Sequence, residues 1–178
     1  MKKHIRLLSL VMALIFVLAM TACGSKDAQT EEPAQEEKAY DICTDLTETV
    51  NDDGSKTVET AYFTVTLPLG DTWAYEQDGE RTINFYNIAG READCGGKLF
   101  SLTLYNPTDM SYNELPHACV AGETIDGIYI AEFPSDVQAD IEDEQHMEEY
   151  QTVYAEVAKI EEQATDSQTQ AVSPLVIK

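Results

Sequence analysis

His117 and Cys119 stand two residues apart, a spacing that on a β-strand points both side chains to one face. An imidazole beside a thiol is the least that a cysteine nucleophile needs as its base. No activating turn or helix start accompanies the pair, so the preferred reading is an ordinary surface or half-buried histidine. With Cys95 as a third donor the same residues would make a thiolate–imidazole metal set. Zinc sites usually hold their ligands in tighter pairs, Cys-x2-Cys or His-x3-His, and neither occurs here. His146 falls at the border of a helical stripe, away from any ligand cluster. Asp136, Asp140, Glu142, Asp143 and Glu144 are hard oxygen donors that would suit Ca2+. They lack the turn glycine of an EF-hand loop, and acids at a helix start are commonplace, so Ca2+ is admitted but not favoured. Gly-x-Ser-x-Gly, Gly-x-Gly-x-x-Gly and Gly-x4-Gly-Lys are all missing, and no cofactor is expected. Acidic pairs abound, but in so acidic a chain none can be assigned to glycoside chemistry.

One more cysteine has a different context. Lys2, Lys3, His4 and Arg6 make a basic start, and Leu7 to Met20 is an apolar run of 14 residues broken only by Ser9. This is the layout of an export signal. The run is short for a membrane span, which needs about 17–25 apolar residues. Met20-Thr21-Ala22-Cys23 resembles the lipobox of bacterial lipoproteins, with Met20 where leucine is usual. The resemblance implies a diacylglyceryl thioether on Cys23, removal of residues 1–22, and a chain held on the outer face of the cell membrane. An ordinary secreted protein, or an uncleaved anchor, is the competing reading. One acyl chain binds a membrane marginally and two hold firmly.

Export permits disulfides. Cys43, Cys95 and Cys119 remain after Cys23, an odd number that leaves a thiol unpaired within the molecule. Cys95 and Cys119 are the preferred pair, because both fall in the body of the domain. Cys43 with either partner, or no bridge at all, stays open.

From Cys23 onward the chain has 8 basic and 33 acidic residues, a net charge of −25 over 156 residues. Such a surface repels nucleic acid and anionic lipid headgroups, which excludes DNA or RNA as partners. Membrane contact is expected through the lipid alone, and a cationic membrane or cell-envelope protein is the partner that charge allows. Simple solubility of a secreted protein is the preferred explanation of the acidity.

The elements follow from composition and period. Residues 23–39 hold the lipidated cysteine and a polar tether that cannot bury enough apolar surface to order itself. As a coil it reaches roughly 20–25 Å. Residues 40–164 suit a single domain, and residues 165–178 read as a flexible tail. Asp53-Gly54, Asp78-Gly79 and Asp126-Gly127 each separate segments of strand character, a strong hairpin signal. Phe63, Val65 and Leu67 alternate with Tyr62, Thr64 and Thr66 before Pro68 ends the strand; Phe100, Leu102 and Leu104 alternate later. Asp41 to Val50 is a further expected strand. Tyr150, Val153, Val157 and Ile160 keep helical spacing, predicting a helix over 142–160 with Asp140 as its cap and one face docked on a sheet. Hairpins followed by a helix give an α+β class, an antiparallel β-sheet with a C-terminal helix packed on it.

Tyr62-Phe63-Thr64-Val65-Thr66-Leu67-Pro68 followed by Trp73, then Ile83-Asn84-Phe85-Tyr86, Gly96-Gly97-Lys98-Leu99-Phe100-Ser101-Leu102 and Phe133-Pro134-Ser135-Asp136-Val137-Gln138, resembles a group of small lipoproteins and exported proteins of Gram-positive anaerobes. The strand-Leu-Pro-x4-Trp opening is also similar to PsbP-like proteins, implying an antiparallel sheet flanked by helices. The resemblance spans about residues 60–163, its motifs are structural, and it implies no particular substrate. Three roles stay open: a non-enzymatic binding or interaction module, an accessory lipoprotein that presents a ligand to a transport system, and an unrecognised hydrolase. The first is preferred. A deep pocket with convergent polar groups would favour the others.

Overall fold

Each Asp-Gly pair closes a hairpin. In the computed structural model, which describes residues 40–165 and 173–178, Asp53-Gly54 joins β1 (Thr47–Val50) to β2 (Lys56–Glu59). Asp78-Gly79 joins β4 (Trp73–Asp78) to β5 (Thr82–Asn87), and Asp126-Gly127 joins β7 (Ala118–Thr124) to β8 (Gly127–Glu132). Gly54 and Gly79 take φ of 80° and 70°, which a side chain would resist. The alternation of β3 (Phe63–Leu67) also holds, with Phe63, Val65 and Leu67 buried. The expected strand from Asp41 starts only at Thr47; before it the chain turns, the Cys43 N–H donating to Asp41 Oδ1 at 2.9 Å.

The strands form two sheets rather than the one expected. All pairs are antiparallel. The first sheet has the order β1-β2-β3-β9 and the second β4-β5-β6-β8-β7, where β6 is Lys98–Tyr105 and β9 is Leu175–Ile177. The break falls at Pro68-Leu69-Gly70. Pro68 has no N–H for a ladder, and Leu69 is left-handed at φ 50°. The Leu-Pro-x4-Trp opening is a brace across this break. The Trp73 indole N–H donates to the Pro68 carbonyl at 3.1 Å. Lys56 of the first sheet lays its ammonium 4.3 Å from the centre of the Trp73 ring and donates to the Trp73 carbonyl at 2.5 Å.

Central strand β6 is buried on both faces over Leu99–Leu102, where strict alternation was expected, because β5 and β8 flank it and packing covers both sides. A short helix that sequence reading did not foresee, α1 (Ile88–Glu92), follows β5. Asn87 caps it, its side chain accepting from the Gly90 N–H at 2.8 Å.

The long helix, α2, spans Glu144–Thr165 and packs against β7, β3, β6 and α1. Its buried face is the predicted one: Tyr150, Val153, Val157 and Ile160. Its cap is Asp143, not Asp140. Asp143 Oδ1 takes the His146 N–H at 3.1 Å, while Asp140 closes the preceding turn through the Glu142 N–H at 2.9 Å. Both sheets and α2 share one core that includes Ile42, Phe63, Trp73, Phe85, Phe100 and Val157.

The expected tail is a correction. Leu175–Ile177 form β9 on the edge of β3, with Phe63 opposite Ile177 and Val65 opposite Leu175. β9 also abuts β7 at Gly122, where a Cβ would lie 2.8 Å from the Ile177 side chain. Residues 166–172 lie outside the described residues, as do the expected signal segment, Cys23 and the tether.

Candidate functional site

The His117–Cys119 pairing does not form. His117 precedes β7 with a left-handed φ of 53°, which turns the backbone before the strand begins, so strand alternation never applies to it. The imidazole is exposed. Cys119 sits opposite Ala131 on β8 and packs against the core. Burial, with Glu161 of α2 nearby, pushes its thiol up to about 11, opposite to the shift a nucleophile needs.

The expected Cys95–Cys119 bridge is likewise not made: Cys43, Cys95 and Cys119 are free thiols. Cys95 lies in the loop between α1 and β6, its thiol directed to the Ala93 carbonyl at 3.5 Å. The strand order puts β8 between β6 and β7. Cys119 and Leu102 both pair with Ala131, which puts them two strand spacings of about 4.8 Å, roughly 10 Å, apart; that is already beyond the ~7 Å a disulfide can span, and Cys95 lies in the loop before β6, seven positions ahead of Leu102. Among the described residues no three of His, Cys, Asp or Glu converge in a way that would hold a metal ion. Asp136, Asp140, Glu142, Asp143 and Glu144 are instead spread along a loop and the start of α2, and His146 stands 3.3 Å from Asp143.

A mainly apolar concave feature lies where sequence reading saw only core. After β8 the chain runs through Phe133 into a loop, and Pro134–Val137 of that loop stand opposite one side of α2. Met147, Tyr150, Tyr154 and Ala155 line the helix wall, at the i, i+3, i+7, i+8 positions of one ridge. The cavity between them is about 390 Å³, open to solvent and mainly apolar. Tyr150 and Tyr154 stack at 5.5 Å with planes 15° apart, giving the wall a stiff aromatic face. Val137 is 50% exposed across from them. Gln138 anchors the loop, its carbonyl accepting from the Gly97 N–H at 3.1 Å.

The groove is remote from the point where the chain enters the domain. Tyr40 donates to Asp126 Oδ1 at 2.6 Å, in the β7–β8 turn. Six-residue β8 runs from that turn to the groove, a distance of about 20 Å.

Two tyrosines report on alkaline stability. Burial, together with Asp126 beside one and Tyr154 beside the other, pushes Tyr129 and Tyr150 up to about 12 from 10.0. An unfolded chain would ionise them near 10 while the fold still holds their protons. Their contribution is therefore intact below pH 10 and is lost as pH rises toward 12, on the order of 2 kcal/mol per buried tyrosine. Cys43 and Cys119, at about 11 against 9.0, start the decline near pH 9. Lys56, held below its usual value by burial, works the other way, since its charged form is penalised in the fold. Denaturant titrations should show a stability that falls steadily across this range. Tyr129→Phe should shallow the fall, and an unchanged slope in that variant would contradict the assignment.

No helix among the described residues is long and apolar enough to cross a membrane. No protein family, curated protein or solved structure matches the chain.

Proposed function

We propose that the chain is a membrane-anchored extracytoplasmic lipoprotein whose folded head is a non-enzymatic binding or interaction module. The groove between Pro134–Val137 and α2 carries the binding reading. It is preformed, apolar, and backed by a helix locked into the core, the features that let a concave site take a ligand's side chains. Its helix wall supplies aromatic area from Tyr150 and Tyr154. The anchor supports the same reading. A lipid on Cys23 and a short tether keep the head within a few nanometres of the membrane, which raises its effective concentration near envelope neighbours.

A photo-crosslinking side chain placed at Val137 tests this in cells. It should yield a discrete protein adduct, while the same group at Val50, an exposed valine on β1, should not. Equal labelling from both positions, or none from either, would remove the support for a binding head.

A further inference from the structure

Residues 134–149 hold seven carboxylates and no lysine or arginine. Among the described residues none of the seven pairs with a lysine or arginine. The basic side chains from residue 40 onward are committed elsewhere: Lys56 to Trp73, Arg81 to Asn106, Arg91 to Glu76, Lys98 to Glu132, Lys159 to Glu156 and Lys178 to Glu59. This charge is not spread at random about the groove. Glu144 and Glu148 stand one turn ahead of Met147 and Gln151, so they continue the ridge of α2 that forms one wall. Asp136 belongs to the other wall. At the opposite end of the ridge the cation Lys159 is tied to Glu156 at 2.5 Å. An apolar cleft is thus flanked by carboxylates at the end where α2 begins.

We propose that this groove docks a basic amphipathic peptide segment of a protein partner. The proposal rests on the binding-module reading and names what that module takes. One or two apolar side chains of the segment fill the cleft against Tyr150, Tyr154 and Val137. Its lysines or arginines lie toward Glu144, Glu148 and Asp136. Charge complementarity selects this occupant over the others. A purely apolar ligand would desolvate the carboxylates with nothing to pair them. A second copy of this chain would set acidic surface against acidic surface, and anionic lipid or nucleic acid meets the same repulsion. At about 390 Å³ the cleft is near the small end of ligand pockets, enough for anchoring side chains rather than a whole folded element.

The test uses the full-length lipoprotein on phosphatidylcholine vesicles, with empty vesicles as blank. The probe is a short fluorescent peptide in which a pair of leucines is flanked by lysines. Saturable binding is expected. Ala155→Trp, an exposed change that fills the cleft, should weaken it about tenfold or more. The double variant Glu144→Gln, Glu148→Gln alters exposed side chains only and should weaken it about three- to tenfold at low salt, a gap that closes as salt rises. Both variants should melt with the wild type. The proposal is overturned if the peptide does not bind, if Ala155→Trp binds it equally, or if a peptide with serines for leucines or glutamines for lysines binds as well as the original. Sedimentation that shows dimers lost in Ala155→Trp would assign the groove to a second copy instead. If the peptide fails while Val137 still crosslinks to a partner, this inference falls and the binding-module reading stands; failure of both removes the two together.

Discussion

Val157→Asp should leave the domain largely unfolded at ambient temperature. Val157 is 0% exposed and lies in the core shared by α2 and both sheets. A carboxylate there has no cation to meet. Lys159, the lysine on the same helix, is already tied to Glu156 on the partly exposed side. An unpaired buried charge costs about 3–5 kcal/mol, a large part of the 5–15 kcal/mol that stabilises a typical domain. The loss of the valine's apolar burial adds to it. Thr152→Asp serves as the control, since it puts the same charge on an exposed position of the same helix and should cost less than about 1 kcal/mol. Circular dichroism melts of the two variants separate the outcomes. A Val157→Asp protein that melts with wild type would mean that α2 does not dock through this face.

The docking face could be predicted because it is a local pattern. Tyr150, Val153, Val157 and Ile160 share a stripe whatever the stripe packs against, and the Asp-Gly turns are likewise set by the residues at the turn itself. What was missed depends on contacts distant in sequence. Pro68 marks the end of β3, but nothing near it tells whether β4 rejoins the same sheet or starts another. β9 is three residues long and exists through its ladder to Phe63–Val65, more than a hundred positions earlier. Asp140 was the expected cap, and the choice of Asp143, three residues on, depends on where the first helical turn closes. The Cys95–Cys119 pair looked sound along the chain and failed on the strand order β6-β8-β7. The groove escaped for the same reason. Tyr150 and Tyr154 both count toward an apolar stripe, yet only the fold decides that Tyr150 is buried while Tyr154 borders an open cleft under Pro134–Val137.

Cys23→Ala should abolish the lipid-anchored form, either releasing the protein or leaving it as an uncleaved precursor. The thiol of Cys23 would accept the diacylglyceryl group, and no other atom of the side chain can replace it. Without that thioether neither lipid transfer nor cleavage at the lipobox can proceed. On the proposed anchor, two acyl chains at about 0.8 kcal/mol per buried CH2 would make release of the wild type negligible. Nothing else in the mature chain would compensate, because its net charge of −25 opposes an anionic membrane surface. The variant should therefore appear in the soluble extracytoplasmic fraction, or persist as a larger precursor that keeps residues 1–22. Wild type should partition into the detergent phase and gain the mass of the lipid on its first residue. Intact-mass measurement distinguishes these species directly. Membrane retention of Cys23→Ala at the wild-type level and size would show that the anchor is something other than lipid on this cysteine. The same result would remove the placement argument for a binding head. The groove itself would be untouched, since the Pro134–Val137 loop and α2 form it about 20 Å from where Tyr40 brings the chain into the fold.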